Sequence, residues 1–172
     1  FAYRQVGSLE EAATREALSA PATALGVTWE TAALTEVVRR TQGYPYFVQV
    51  HGDGVWRAAD RPDPGSTLTR AHVEVAREGV AEDLEALYRS RWAKASPSEQ
   101  RFLAAMSASA DETVRRGDIA DALGVATGAL GMARRALMDK GLVEVAGHGR
   151  LRFTVPGFRE FVRESADVGG PR

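Results

Sequence analysis

Because the sequence contains no cysteine, aspartates and histidines are the first side chains to consider for catalysis or metal binding. The lack of cysteine excludes disulfide bonds, thiolate metal sites and cysteine nucleophiles. Three aspartates surround one loop without the spacing of a calcium-binding loop: Asp53, Asp60 and Asp63. Three histidines are too scattered to predict a zinc site: His51, His72 and His148. The sequence therefore predicts no metal site and no catalytic residue.

The sequence motifs of common hydrolases are also missing. No G-x-x-x-x-G-K-[ST] segment is present to hold the β- and γ-phosphates of a nucleotide with backbone amides and a lysine. No apolar strand ends in paired acids that would organise Mg²⁺, and no G-x-S-x-G segment would expose a nucleophilic serine. We therefore expect that this chain does not hydrolyse ATP by itself.

Composition limits the classes of protein to which this chain can belong. The 172 residues are 44% hydrophobic and 26% charged, which suits one sizeable globular domain or two small ones. No run of about 18 apolar residues predicts a membrane span, and no signal peptide is recognisable, so we expect a cytoplasmic protein without membrane contact. The net charge of −1 argues against a protein whose whole surface binds nucleic acid, so any DNA contact would be local. Because the chain begins with Phe1 rather than Met, we expect a fragment of a longer protein.

Helices are predicted throughout the first half of the chain. A capping-box pattern at Ser8 and Glu11 predicts a helix over 9–18, and Pro21 predicts a short second helix that ends at Gly26. Further helices are predicted after Thr28, after Pro45 and after Thr69. An apolar stripe at three- and four-residue steps predicts that the last of these runs without a break over about 69–95. This long helix is expected to link two domains.

The second half has the element order of a winged helix-turn-helix. Ser96, Pro97 and Glu99 give the strongest helix start in the chain and mark the expected domain boundary. A second helix is predicted to end at Gly124, and a third is predicted to run from Thr127 to 140. Alternating apolar residues then predict a β-hairpin over 143–155, followed by a final helix. The predicted fold is thus mainly α, with a helical bundle at 1–95, a winged helix at 96–166 and a tail at 167–172.

DNA binding by the winged helix is one hypothesis. Thr127, Arg134 and Arg135 would enter a major groove from the third helix, and His148 and Arg150 would touch phosphates from the wing. Against it, residues 96–166 contain ten Lys/Arg and nine Asp/Glu, and the third helix begins with small residues rather than base-reading ones. The alternative is a winged helix that binds protein, either a partner or another part of the same protein.

The first half resembles a known family in several short segments. They are Leu9-Glu10-Glu11-Ala12, Ala17-Leu18, Pro21-Ala22, Gly26-Val27 with Trp29, and Thr41-Gln42-Gly43-Tyr44-Pro45-Tyr46-Phe47. Together they resemble the lid of bacterial and archaeal AAA-type P-loop ATPases of the STAND-related group. Replication-initiator ATPases are similar in carrying a winged helix after the lid. The resemblance covers residues 1–163 and is most specific at 43–47.

The resemblance implies a nucleotide site shared with a P-loop domain. In that family the nucleotide lies between the two domains, so Gly43, Tyr44 and Pro45 are expected to lie close to it. A helix start offers free N–H groups and a positive dipole end, and a proline ring offers a flat surface to adenine. Replication-initiator ATPases often place a phosphate-sensing arginine at this helix start, where this sequence has Tyr46 and Phe47. The alternative is that residues 43–45 only separate two helices.

We therefore expect a non-catalytic C-terminal piece of an ATPase. Its lid would complete a nucleotide site, and its winged helix would be a DNA-binding or regulatory output module moved through the linking helix. The expected partners are the missing N-terminal P-loop domain, double-stranded DNA, and a protein partner or a second copy. The fragment itself would hold no cofactor, while ATP or ADP and Mg²⁺ belong to the full-length parent. A stand-alone transcription regulator with a helical sensor domain is the remaining alternative.

Overall fold

The computed structural model describes residues 7–168, and these are mainly helical with a few short strands. The predicted fold class, mainly α with a small β-hairpin, is confirmed. The chain divides into two compact units, Phe1–Leu87 and Tyr88–Arg172. The predicted tail over 167–172 overlaps the last helix at 167 and 168, and its remainder lies outside the described residues.

The first unit is built from helices around a pair of very short parallel strands. The helices are α1 (Glu11–Ala24), α2 (Thr31–Thr41), α3 (Pro45–Ala58), α4 (Arg70–Val75) and the first part of α5 (Arg77–Ala93). The strands β1 (Thr28–Trp29) and β2 (Thr67–Leu68) pair in parallel. Glu30, which follows β1, accepts a hydrogen bond from the Arg70 N–H at 3.0 Å and so ties the start of α2 to the start of α4.

Three predicted helix boundaries in the first unit are wrong. α1 continues through Pro21 because the buried residues Leu18 and Ala22 anchor the helix on both sides of the proline. The Ser8 capping box does not form, since Glu10 is the residue that precedes α1 and its side chain makes no capping bond. Thr28 lies in β1 and does not cap α2.

The apolar core of the first unit explains two glycines inside α3. A Cβ on Gly54 would lie 2.6 Å from Cγ2 of Val80, and a Cβ on Gly52 would lie 3.2 Å from Cδ2 of Leu18. Both glycines therefore allow neighbouring helices to approach α3 closely, which offsets their low helix propensity. The core residues are Leu18, Ala22, Val27, Ala33, Val37, Val38, Val48, Val55, Leu68, Val73, Ala76 and Val80.

The long helix predicted over 69–95 is interrupted. α4 ends at Val75, and α5 begins at Arg77 after the buried Ala76. A single turn residue leaves the apolar residues in phase, so periodicity alone could not reveal the break. The boundary between the two units falls within α5, because Tyr88 packs against Phe158 and Phe161 of the second unit.

The second unit has the element order expected of a winged helix. Its helices are α6 (Pro97–Ser107), α7 (Arg116–Leu123), a 3₁₀ turn (Thr127–Leu130), α8 (Gly131–Asp139) and α9 (Phe158–Val168). Its strands β3 (Val114–Arg115), β4 (Val143–Val145) and β5 (Arg150–Phe153) form an antiparallel sheet in the order β3-β5-β4. The predicted hairpin is β4 and β5, although Val155 lies beyond the strand. β3 was not predicted, because two residues carry no periodic pattern.

The capping box that starts α6 also anchors α8. The Ser96 N–H donates to Oε2 of Glu99 at 2.8 Å, and Oγ of Ser96 accepts from the Glu99 N–H at 3.4 Å. Lys140, which follows α8, donates to the same buried carboxylate and to the Lys94 carbonyl. Burial raises the pKa of Glu99, but the bonds from Lys140 and Ser96 outweigh it and hold the pKa below its ordinary value.

In the part of the chain covered by the structure, residues 7–168, no helix has the length and apolar character that crossing a membrane requires.

Candidate functional sites

The segment 43–45 forms the turn between α2 and α3. Gln42 and Gly43 both adopt positive φ, at 49° and 68°, and reverse the chain after α2. Tyr44 is extended, its N–H donates to the Thr41 carbonyl at 2.9 Å, and Pro45 occupies the first turn of α3. The first-turn amides of a helix have no acceptor within it, so this turn carries the positive end of the α3 dipole.

Gly43 lies directly under the chain that leads into α1. The Leu9 N–H donates to the Gly43 carbonyl at 2.8 Å. A Cβ on Gly43 would lie 2.1 Å from the Leu9 carbonyl oxygen, far inside any tolerable contact. Glycine is therefore required here by a close backbone approach as well as by its positive φ. The sequence indicated that Gly43 ends a helix, but it did not reveal this close approach of Leu9.

The three aromatic residues of this turn have different environments. Phe47 is buried and its ring meets Tyr44 edge-on, with centroids 5.1 Å apart. Tyr44 is half-buried, while Tyr46 is 41% exposed. Tyr44 and Phe47 thus brace the turn from one side, and Tyr46 projects into solvent.

An apolar cavity of about 530 Å³ opens beside Pro45, between α1 and α3. Its lining residues are Leu9, Ala17, Leu18, Pro21, Ala22, Leu25, Trp29, Pro45, Val48, Gln49, Gly52, Asp53, Trp56 and Leu68. The indole N–H of Trp29 donates to the Leu18 carbonyl at 3.2 Å, which fixes this ring in the wall. The cavity therefore presents proline and tryptophan rings to an occupant of low polarity.

A second, more polar cavity of about 400 Å³ opens beside Gly43, between α1 and α2. Its lining residues are Leu9, Glu11, Thr14, Arg15, Thr35, Val38, Arg39, Gln42 and Gly43. Leu9 lines both cavities, so the turn at 43–45 lies between the apolar cavity and a second cavity, called the polar cavity because most of its lining residues have charged or polar side chains. Sequence reasoning had not connected Arg15 with Arg39, because they lie on different helices.

Charged residues around α2 form a small ion-pair network. Glu36 accepts from Arg39 at 2.8 Å and from Arg40 at 2.7 Å, and Arg40 also pairs with Glu74 of α4. The hydrogen bonds from Arg39 and then Arg40 lower the pKa of Glu36 to about 2, and Glu36 in turn raises the pKa of Arg39. Arg40 thus joins α2 to α4, whereas Arg39 remains largely exposed.

His51 lies in the interior of the first unit and lines neither of these cavities. It faces a smaller space of about 170 Å³ lined also by Arg40 and Arg77. Burial, followed by the positive charge of Arg40, lowers the pKa of His51 to about 4. The ring is therefore neutral near pH 7 and serves as a core residue. Among residues 7–168 no group of three or more acidic or histidine side chains is placed to hold a metal ion.

The residues considered for DNA contact on the third helix do not share one face. Thr127 and Arg135 are exposed, but Arg134 is half-buried at a position between the core residues Leu130 and Leu137. Its Nε is buried and makes no hydrogen bond. Arg134 is thus less exposed than the neighbouring Arg135. The most exposed large hydrophobic side chain there is Met132, at 87%.

The two wing residues considered for DNA contact have different environments. His148 is exposed in the hairpin turn, whereas Nη1 of Arg150 donates to the carbonyl and hydroxyl oxygens of Thr113 at 2.9 and 3.0 Å. The neighbouring Arg116 N–H donates to the Gly149 carbonyl at 2.9 Å, which brings the start of α7 to the wing. That proximity depends on β3, so the sequence pattern did not reveal it.

Comparison with known protein families gives one match, which lies mainly in the second unit. A family model described as a domain of unknown function, DUF8462, matches residues 85–162, which is less than half of the chain. No curated protein matches the chain. The matched segment begins in the last turns of α5 and ends within α9, so it covers the winged-helix elements.

We predict that Gly43→Ala is strongly destabilising. Its methyl group would meet the Leu9 carbonyl, and the positive φ adds strain, so we expect a loss of about 3 kcal/mol or more in the free energy of unfolding. Urea unfolding followed by circular dichroism measures it. The control is Gly65→Ala, where φ is 92° but nothing lies within 4 Å of the added Cβ. It should cost only about 1 to 2 kcal/mol. Equal losses for both variants would contradict the Leu9 contact.

Proposed function

We propose that the first unit is the lid of a cytoplasmic P-loop ATPase, with the turn at 43–45 contacting the bound nucleotide. The observation that carries this proposal is the position of the turn between an apolar cavity and a polar one. A nucleotide has the same division, with a flat base at one end and anionic phosphates at the other. The family resemblance of residues 43–47 gives independent support.

The turn offers two kinds of contact. The ring of Pro45 lies at the apolar cavity and provides a flat surface for a base. The first turn of α3 provides backbone amides and a positive dipole end toward anionic groups. A P-loop domain would supply the phosphate-binding loop and the Mg²⁺ ligands, so ATP turnover would require both parts. The present chain would bind and report the nucleotide without hydrolysing it.

We predict that Pro45→Ala weakens ADP binding by the full-length protein about five-fold, equivalent to about 1 kcal/mol. Alanine is well tolerated at a helix start, so the loss would reflect the missing ring rather than unfolding. Isothermal titration calorimetry measures the affinity. Pro97→Ala is the matched control, since Pro97 occupies the same position in α6.

Unchanged ADP affinity in Pro45→Ala would contradict a contact between this turn and the base. The proposed function also requires a P-loop sequence in the same polypeptide or in a tightly bound partner. Absence of such a P-loop would favour the alternative of a transcription regulator with a helical sensor domain.

For the second unit we propose a regulatory output module that contacts protein rather than duplex DNA. Met132 on α8 is 87% exposed, and Val125 in the turn before it is 42% exposed, where base-reading side chains would be needed for DNA. At least five of the ten cations of residues 96–166 bind acceptors within the protein: Lys140, Arg150, Arg152, Arg159 and Arg163. Few cations are then left to neutralise phosphates.

We predict that generic duplex DNA binds the chain too weakly to measure at micromolar protein, even at about 50 mM salt, because phosphate contacts are few. Fluorescence anisotropy with a labelled duplex is the measurement. Arg135→Ala removes the exposed arginine of the third helix, and Arg101→Ala serves as a control on α6. Tight binding that weakens with salt and is lost in Arg135→Ala alone would favour the DNA hypothesis.

A further inference from the structure

We propose that Arg15 and Arg39 together bind the phosphate chain of the nucleotide in the polar cavity beside Gly43. The inference rests on the proposed function, and it assigns residues that the family resemblance does not. Where replication-initiator ATPases often place a sensing arginine, this chain has Tyr46 and the buried Phe47. Within residues 7–95, Arg15 and Arg39 are the arginines that line a cavity at this turn.

The two arginines reach one cavity from separate helices. Arg15 projects from α1, where its guanidinium contacts Glu11 at 2.9 Å and the Thr35 hydroxyl at 3.2 Å. Arg39 projects from the last turn of α2 and forms two hydrogen bonds with Glu36, at 2.8 and 3.2 Å. Both arginines line the polar cavity together with Gly43. The contact with Thr35 links Arg15 to α2, which keeps the two cationic groups on the same side of the turn.

The present partners of both arginines can be exchanged for phosphate. In each ion pair one side chain is 71% exposed, Glu11 beside Arg15 at 32% and Arg39 beside Glu36 at 23%, and ion pairs that are open to water contribute little to stability. A phosphate group offers more charge and several acceptor oxygens, and arginine binds it in bidentate geometry. Arg40 differs, because its side chain is only 21% exposed and holds Glu36 and Glu74 at once. It is fixed as a structural residue and does not line the cavity.

The charge balance of the cavity favours an anion. Two arginines and one carboxylate, Glu11, line it. When Arg39 turns toward a ligand, Glu36 keeps its bond to Arg40 and needs no new partner. When Arg15 does so, Glu11 is left exposed to water, which carries little cost. The remaining hydroxyl groups already have acceptors, since Thr14 donates to the Glu10 carbonyl and Thr35 donates to the Thr31 carbonyl.

The test compares ADP with adenosine on the full-length protein by isothermal titration calorimetry. The double variant Arg15→Ala, Arg39→Ala should weaken ADP binding about ten-fold, equivalent to about 1.4 kcal/mol, and leave adenosine binding unchanged. The control is Arg70→Ala, an exposed arginine of α4 that lines none of the three cavities at the turn and beside His51. Circular dichroism checks that each variant remains folded. Arg39→Lys, which keeps the charge but not the bidentate geometry, should give an intermediate affinity.

The outcomes separate this inference from the proposed function. If the double variant binds ADP as the control does while Pro45→Ala weakens it, the arginine assignment is wrong and the lid assignment stands. If none of these variants alters ADP affinity, the lid assignment falls and the arginine assignment falls with it. Equal losses for ADP and adenosine in the double variant would indicate a disturbed turn rather than a lost phosphate contact, and would also overturn the inference.

Discussion

The contact between Leu9 and Gly43 is the constraint on which the candidate site depends. One backbone hydrogen bond of 2.8 Å holds the chain before α1 against the turn that joins α2 to α3. The missing side chain of Gly43 permits this approach. As a result α1 lies beside both α2 and α3, and the two cavities open on either side of the turn, with Leu9 in the wall of each.

The same division is the basis of the proposal that one short turn contacts a ligand with two unlike ends. Proline and tryptophan rings lie on one side, and arginine guanidinium groups lie on the other. The backbone amides at the start of α3 depend on no side chain for their polarity. In the proposed function the turn has both a structural role and a ligand contact, because the glycine that permits the fold also leads into the amides of α3.

Local signals in the sequence predicted much of the fold. The capping box of Ser96 and Glu99, the glycine after α7 and the alternation in the hairpin all act within a few residues, so the sequence alone was enough. Features that depend on distant partners were missed. They include the pairing of β1 with β2, the continuation of α1 through Pro21 and the bond from Lys140 to Glu99.

The sites follow the same rule. The turn at 43–45 was visible because glycine, aromatic and proline residues are adjacent in the sequence. Arg15 and Arg39 were not associated with one another, because only the packing of α1 on α2 brings them to one cavity. Arg134 was assigned to an exposed face from its charge, but helical phase places it between Leu130 and Leu137. Charge on a short helix is therefore a weaker guide than the position of the core residues around it.

Hydrogen exchange on the full-length protein, with and without ADP, tests the central claim most directly. The account predicts that ADP slows exchange of the amides over 42–48, which include the first turn of α3. The first turn of α6, another helix start with proline at its first position, should exchange at the same rate in both states. Unchanged exchange over 42–48 at saturating ADP would contradict a nucleotide contact at this turn.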